Sequence, residues 1–367
     1  MRVQRVIMPS GESWSWTVLD RGWSVIEPAE AFLAHLHAVE RSPNTVKAYA
    51  HDLRDWFEFL DGAGVAWSAV RLEDVGRFVA WLRLPPQARD GRVAALPSAE
   101  GSCAASTVNR KLSAVSAFYK FHQRHGVELG DLLTAWWSQP SRGGSWRPLL
   151  AHLGSRPERR RTVKLRVGRR IPVVLHADQI QTVLGACHRL RDRLLFMILA
   201  DSGMRVGEAL GLRHEDIDAA VRLVNVTPRS NSNQARAKSW ARQVPVPARV
   251  NRLYSDYLHT EYGELDCDYV FVNLWSAPVG RPLHYGSVYD LVCRLRERTG
   301  VAFGPHTFRH TYATELLRRK VPIEIVQRLL GHASIATTSD TYAHLKVEDA
   351  RRALVDVGWL SEKDIPR

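Results

Sequence analysis

Cysteine is scarce in this sequence of 367 residues, which contains only four. They stand far apart, and no two have the spacing of a CxxC pair: Cys103, Cys187, Cys267 and Cys293. This spacing excludes the common zinc ribbons and redox-active dithiols, which need neighbouring cysteines. We therefore expect reduced, mostly buried thiols in a cytoplasmic protein.

Long apolar runs are also missing. The longest run, residues 194–200, is far too short to cross a bilayer, and the first residues lack the apolar segment of a signal peptide. No Walker-type phosphate loop and no cluster of acidic metal ligands is visible. The pattern predicts a protein that is not embedded in a membrane.

Positive charge, by contrast, is abundant. The chain has 51 Lys and Arg against 38 Asp and Glu, a net charge of +13 and a pI near 9.9. Such a balance suits a polyanion, because Lys and Arg release counterions from a phosphate backbone. Ribosomal, membrane-surface and merely soluble basic proteins share it, so charge alone does not decide the function.

The first third of the chain predicts a hairpin followed by helices. Residues 2–19 alternate around a PSGE turn, which fits either a flap over a ligand or a packing element. Residues 27–126 contain amphipathic helical segments; Ser42 or Asn44 starts the second, and the third stops before Pro85. A polar insert before the fourth segment predicts a surface loop.

A basic stretch divides the chain. Residues 138–171 are rich in Arg, Gly, Ser and Pro, which predicts a linker that also touches a phosphate backbone, although a solvated connector needs only the same residues. Beyond it come helices, among them a strongly apolar and therefore central RDRLLFMILADSG. RLVNV and RQVPVP predict a short antiparallel pair with Lys238 in the connecting loop, and YVFVN predicts another short strand.

The end of the chain carries three short motifs, HTFRH, LLGHAS and TYAHL. His306 and Arg309 are one helical turn apart and so lie on one side of a predicted helix. Each residue also has a plain interpretation, because an arginine on a helix is usually solvated and a tyrosine usually packs. His306 and His310 have zinc-like spacing, but the glutamate of an HExxH motif is absent.

Together with GMRVGEALGLR, these motifs resemble the four active-site boxes of tyrosine recombinases of the phage integrase type. TVKAYAHDLRDWFEFL and TVNRKLSAVSAFYKFH resemble the core-binding domain of that family, so the resemblance covers roughly residues 25–350. The sequence is also similar to a transposase A subgroup carried by mobile elements. The resemblance implies a mainly α fold with a small β-sheet: a helical SAM-like core-binding domain and an α-rich catalytic domain with a short antiparallel sheet.

The implied domains follow the chain in order. They are an N-terminal hairpin-like extension (1–24), the core-binding domain (25–126), a basic linker (127–171), the catalytic domain (172–355) and a C-terminal tail (356–367). In the family such a tail docks on a neighbouring subunit, whereas a helix packed on its own domain would need the same residues.

The resemblance also implies the site residues. The two phosphate-binding arginines would be Arg205 and Arg309, and the two histidines would be His306 and His332. Lys238 would be the hairpin lysine and Tyr342 the nucleophile. Lys164 and Arg236 are basic alternatives to the lysine, and Glu208 is interpreted as a structural acid that orients Arg205. DNA contacts in the first domain would come from Thr45, Lys47, Arg110 and Lys111.

The chemistry needs these residue types. Attack on a phosphodiester builds negative charge on the non-bridging oxygens, which guanidinium forks match and a lysine cannot. A tyrosine with a pKa of about 10 must be activated, for which His306 is the nearest base, and the leaving 5′ oxygen needs a proton from a lysine. The 3′-phosphotyrosyl product keeps the energy of the phosphodiester, so neither ATP, metal nor another cofactor is expected.

The resemblance therefore predicts a site-specific recombinase that acts on double-stranded DNA. It would work as a homo-tetramer through a Holliday junction, with accessory or sister recombinases as further partners, in integration, excision or transposition of a mobile element. A type IB topoisomerase uses similar chemistry on one duplex, but the core-binding helices argue against it. A DNA-binding protein with a degenerate site is the third possibility, and the six filled catalytic positions argue against that one.

Overall fold

The computed structural model describes residues 1–7, 14–89, 102–127, 134–137, 158–161, 163–166, 173–237 and 239–331, with the backbone alone for 134–137 and 158–161. The chain forms two compact units, Met1–Arg169 and Arg170–Arg367.

The first unit is built on amphipathic helices. They are α1 (Glu27–Ala38), α2 (Pro43–Ala63), α3 (Leu72–Arg83) and α4 (Ala105–Arg124). Helix α2 begins at Ser42, whose Oγ accepts a hydrogen bond from the Thr45 amide at 3.2 Å, and ends at Gly64 in the left-handed region. Helix α3 stops before Pro85, as its sequence predicts.

Aromatic side chains fill the core of this unit. Trp56 is fully buried, and its indole nitrogen donates to the Tyr119 hydroxyl at 3.2 Å, which in turn donates to the Trp67 carbonyl at 2.8 Å. The buried indole N–H and phenol hydroxyl in this series of hydrogen bonds thus each have a partner, which offsets the cost of burying them. These hydrogen bonds tie α2 to α4 around the aromatic core.

The N-terminal strands pair as predicted. Strands β1 (Arg2–Ile7) and β2 (Trp14–Leu19) are antiparallel, and the fully buried Val18 belongs to the same core as the helices. On the outside, Arg5 lies over the Trp14 ring at 4.5 Å and Lys47 lies over Trp16 at 4.8 Å. The pair is therefore a packing element with a basic and aromatic outer surface.

The predicted linker contains more regular structure than its composition indicates. Strands β3 (Thr134–Trp137) and β4 (Glu158–Arg161) form an antiparallel pair. Further on, the Asn109 side chain of α4 donates to the Leu165 carbonyl and accepts from the Leu165 amide, both at 2.9 Å. This part of the stretch is thus fixed to the first unit, and its predicted contact with DNA stays a prediction.

The second unit surrounds one apolar helix. Its helices are α5 (Ala177–Gly185), α6 (Leu190–Ser202), α7 (Val206–Ala209), α8 (Ala248–Tyr257), α9 (Tyr285–Thr299), α10 (Pro305–Arg318) and α11 (Ile323–Leu330). Helix α6 carries five fully buried apolar residues, namely Leu194, Leu195, Phe196, Ile198 and Leu199. Its predicted central position is confirmed.

A small antiparallel sheet completes this unit. It has the order β5 (Ile217–Asp218), β6 (Leu223–Val226) and β7 (Arg242–Pro245), so the predicted pair gains the short strand β5. The strand predicted at YVFVN is wrong: Tyr269 and Val272 form single bridges only. This segment is buried, but its amides and carbonyls bond to separate loops and not to one partner strand.

The fold class is confirmed, since the chain is mainly α with small antiparallel sheets. Among the residues that the structure describes, no helix combines the length and the apolar character needed to cross a bilayer.

Candidate active site

The site begins at the tight turn after α6. Gly203 ends that helix with φ +62°, and a Cβ added there would lie 2.3 Å from Cδ1 of Tyr312. Only glycine fits both the left-handed backbone and the close ring. This turn directs the chain into α7, which Arg205 precedes as its N-cap residue.

Arg205 is held by the acid three residues further on. Its amide donates to Glu208 Oε2 at 2.9 Å, and its Nη1 donates to Oε1 at 3.0 Å. The Glu208 side chain is fully buried, whereas 22% of the Arg205 side chain remains exposed. The guanidinium is therefore oriented from the inside and accessible from the outside.

Glu208 also binds two residues of the hairpin, and we call Arg205, Glu208, Ser239 and Arg242 the Glu208 cluster. Arg242 Nη2 donates to Oε2 at 2.7 Å, and the Ser239 hydroxyl donates to Oε1 at 2.9 Å. Burial alone would raise the pKa of Glu208, but the hydrogen bonds and charge of Arg242 and the bonds from Arg205 lower it to about 2. The carboxylate thus stays ionised and joins the two segments.

Two buried arginines hold the end of α11. Arg242 Nε donates to the Leu329 carbonyl and Arg309 Nη2 donates to the Leu330 carbonyl, both at 2.7 Å. Arg309 Nη1 also donates to the Gly203 carbonyl at 2.9 Å. Because cations at a helix C-terminus complement its dipole, both contacts stabilise this end of α11. Arg309 thereby connects α10 to the turn that precedes Arg205.

The two histidines of α10 differ in environment. His306 is exposed in the first turn of the helix, one turn before the buried Arg309. His310 is half-buried, and burial lowers its pKa, with the nearby His306 and Arg309 acting in the same direction. His306 is therefore the histidine that a ligand can reach.

The structure brings Arg205 and Arg309 to the turn after α6, with His306 on the same helix as Arg309. The other three predicted catalytic residues, Lys238, His332 and Tyr342, lie outside the described residues. Of the alternatives to the lysine, Arg236 is exposed in the hairpin loop and Lys164 is exposed in the first unit.

Sequence reasoning missed Ser239 and Arg242. Ser239 directly follows the predicted lysine position in KSWARQVPVP and Arg242 lies four residues after that position, in a segment whose pattern predicts only a loop and a strand. The available signal was the charge of Arg242 at the start of an apolar strand, since an arginine there is exposed or has a buried partner. In the structure it is 8% exposed and paired.

The predicted DNA contacts of the first unit differ in accessibility. Thr45 bonds to Ser42 at the start of α2, Lys47 is exposed, and Arg110 is half exposed beside Asp52. Lys111 is only 8% exposed and its ammonium group bridges Asp52 at 3.1 Å and Asp55 at 2.6 Å. Because two carboxylates neutralise its charge, this ammonium group is a poor phosphate ligand, and Lys111 is not among the proposed contacts.

Comparison with known proteins finds a family match for each of the two units. Residues 173–349 match the phage integrase family, and residues 29–126 match the phage integrase N-terminal SAM-like domain. Transposase A from transposon Tn554 of Staphylococcus aureus is 35% identical over 354 residues, which cover 96% of each chain. The chain belongs to the phage integrase family of tyrosine recombinases.

This family membership makes the protein a site-specific recombinase. Tyrosine recombinase XerA of Saccharolobus solfataricus is 27% identical over 88% of this chain and 89% of its own. Among solved structures, a Tn1549 transposon integrase in complex with transposon right end DNA has a TM-score of 0.59 at 17% identity, covering 89% of this chain and 98% of that one. A lambda integrase dimer bound to a core site has a TM-score of 0.54 at 14% identity, covering 86% and 94%. These structures share the fold.

Proposed function

We propose that this recombinase cuts and rejoins double-stranded DNA through a covalent 3′-phosphotyrosine intermediate on Tyr342. The observation that carries the proposal is the turn after α6, where Arg309 binds the Gly203 carbonyl and the Glu208 cluster orients Arg205. Two guanidinium groups from motifs that are distant in sequence thereby serve one location. That arrangement fits a phosphodiester, whose non-bridging oxygens gain negative charge during attack.

In the proposed reaction the phenolic oxygen of Tyr342 attacks phosphorus and the bond from phosphorus to the 5′ oxygen breaks. His306 takes the phenolic proton, and Lys238 gives a proton to the leaving 5′ oxygen. Arg205 and Arg309, assisted by His332, stabilise the charge on the phosphoryl oxygens. Attack of another 5′ hydroxyl group on the phosphotyrosine reverses these steps, so bond energy is conserved without ATP or metal.

Tyr312 is the tyrosine nearest to this turn in the described part of the chain, and it is a poor nucleophile. Its ring packs beneath Gly203, and burial together with the charge of Asp201 raises its pKa to about 12, although Arg242 acts in the opposite direction. A phenol with such a pKa is less easily ionised than an ordinary tyrosine. This supports Tyr342 as the nucleophile.

The expected assembly is a homo-tetramer that joins two duplexes through a Holliday junction in the cytoplasm, with accessory or sister recombinases as further partners. Mobile-element DNA is the proposed substrate, because the transposase A relative spans 96% of the chain. Residues 25–126 would clamp the duplex with Thr45, Lys47 and Arg110, and residues 172–355 would cut it. Integration, excision and transposition are the reactions open to such an enzyme.

The test uses nicked suicide duplexes from the ends of the genetic element that encodes the protein, incubated without ATP or metal. Wild type, Tyr342→Phe and the control Tyr312→Phe are compared on a denaturing gel. We expect a covalent protein–DNA band in wild type and in Tyr312→Phe, and none in Tyr342→Phe.

Two results would contradict the proposal. Bound DNA without any covalent band in wild type would favour a binding protein with a degenerate site. Relaxation of a supercoiled plasmid without joining of two duplexes would favour topoisomerase-like cleavage.

A further inference from the structure

A cleft of about 370 Å³ lies in the second unit between the start of α6, the loop 273–284 and α9. We call it the α6–α9 cleft. Its polar lining is dominated by cationic side chains, namely Arg189, Arg191, Arg281 and Arg294. A neighbouring cavity of about 340 Å³ shares three of them and extends along α9 to Arg298. The two cavities form a continuous basic surface.

Most of this positive charge has no counter-ion among the residues that the structure describes. In the part of the chain that the structure describes, no carboxylate forms an ion pair with Arg189, Arg281 or Arg294. Arg191 is neutralised by Asp192 at 2.7 Å, and Asp290 is the acid that lines the cleft. Like charges in one cleft focus a positive potential, which concentrates anions there.

One arginine that lines the cleft, Arg189, is held in place by an aromatic ring. Its guanidinium carbon, Arg189 Cζ, lies 3.7 Å from the ring centroid of Trp275, and Arg191 lies over the same ring at 4.4 Å. A ring face fixes a guanidinium without using its N–H groups, so the fork stays available for an anion. The first amides of α6 are not part of this site, because the Glu261 carboxylate already accepts from Leu190 and Arg191.

The position of the cleft separates it from the catalytic turn. Helix α6 has 13 residues, with Arg189 before its first turn and Gly203 after its last. At a rise of 1.5 Å per residue the two ends are about 20 Å apart. A DNA strand advances about 3.4 Å per nucleotide, so this distance corresponds to about six nucleotides. One phosphate cannot occupy both places.

We propose that the α6–α9 cleft is a second phosphate-binding site, which binds backbone phosphates of the DNA at a distance from the phosphodiester that is cut. This inference rests on the proposed function, because it takes DNA as the substrate. Backbone phosphate is favoured over a free nucleotide because two guanidinium groups already lie over Trp275, the aromatic ring beside the cleft, where a base would stack.

The test removes charge from the cleft and from a matched position outside it. Arg281→Gln, Arg294→Gln and the double variant are compared with Arg252→Gln, an exposed arginine of α8 that does not line the cleft. Binding of a fluorescent duplex to the full chain is measured by anisotropy at several salt concentrations. Each cleft variant should lower the slope of log Kd against log salt by about 0.9, and the double variant by about 1.8. The slope of Arg252→Gln should stay at the wild-type value.

Slopes in the two single cleft variants equal to the slope of Arg252→Gln would overturn the proposal, since all three variants lose one positive charge and the cleft would then contribute nothing beyond net charge. Tripolyphosphate separates the two sources of phosphate: if it binds wild type but not the double variant while the DNA slope is unchanged, the cleft serves free phosphate compounds and not DNA. The covalent band on suicide duplexes tests the proposed function separately. The double variant should still form the covalent band at saturating DNA. If wild type forms no band while the salt slopes change as expected, the proposed phosphotyrosine chemistry is refuted and the proposed phosphate site in the cleft still stands.

Discussion

Glu208→Gln is the substitution whose effect the structure predicts in most detail. The pKa of Glu208 is about 2, against an ordinary value of 4.5, because the contacts with Arg242 and Arg205 outweigh the effect of burial. The difference of about 2.5 pH units, at 1.36 kcal/mol each, corresponds to about 3 kcal/mol of stability at pH 7. Glutamine keeps the shape but leaves the buried Arg242 without a counter-charge. We expect the free energy of unfolding of the variant to be about 3 kcal/mol lower than that of wild type at pH 7.

The pH dependence provides the decisive comparison. Because the folded-state pKa is lowered, the stabilisation is fully present above pH 4.5 and is lost as the pH falls from 4.5 towards 2. At pH 3 about 2 kcal/mol of it is gone, so the gap between wild type and Glu208→Gln should shrink to about 1 kcal/mol. Urea unfolding at both pH values measures the gap, with Glu215→Gln as a control whose side chain is 74% exposed. A gap that does not change with pH would refute this account of the Glu208 cluster.

Three further predictions concern other residues. Gly203→Ala should lower the free energy of unfolding by about 3 kcal/mol, because the backbone at Gly203 has a positive φ and the new methyl group would meet the Tyr312 ring. Gly64→Ala, where φ is similar but the space is open, should lower it by only about 1 kcal/mol. Urea unfolding of both variants tests the difference. Lys111→Met should cost about 2 kcal/mol in the same assay, because Asp52 and Asp55 lose their shared buried cation and keep only the more exposed Arg110 and Arg54. Arg110→Ala, half exposed, should cost under about 1 kcal/mol, and equal losses would contradict the assignment. Arg205→Lys should slow formation of the covalent DNA product about 100-fold with little change in DNA affinity, measured by single-turnover cleavage, and an unchanged rate would remove Arg205 from the proposed site.

Much of the fold could be predicted because it depends on local pattern. The helices follow apolar stripes and end at residues such as Gly64 and Pro85, which act through their own backbone. The prediction of a strand at YVFVN was wrong because strand pairing depends on distant segments. An apolar run indicates burial but does not indicate which segment its amides will bond to. Strand β5 was missed because it has two residues, too few for any alternation.

The site could be predicted in part. Arg205, His306 and Arg309 stand in motifs, so the sequence identified them directly. The contacts that position them join residues far apart in the chain: Arg242 bonds to Glu208 across 34 positions, and Arg309 bonds to Gly203 across 106. No local pattern reports such pairs. Local sequence does not separate the exposed Lys47 from the buried Lys111 either. Only the fold places the two acids of α2 beside Lys111.

The end of α11 also defines a junction for protein engineering. Arg242 and Arg309 bind the last two carbonyls of α11, and Gly331 follows with φ +64° and no room for a side chain beside Ser239. These contacts are all made by residues up to Gly331. A chimera that exchanges the segment after Gly331 with that of a relative would keep both arginines and their turn. Gly331 is thus the position at which a segment that carries the proposed His332 and Tyr342 could be exchanged as a unit.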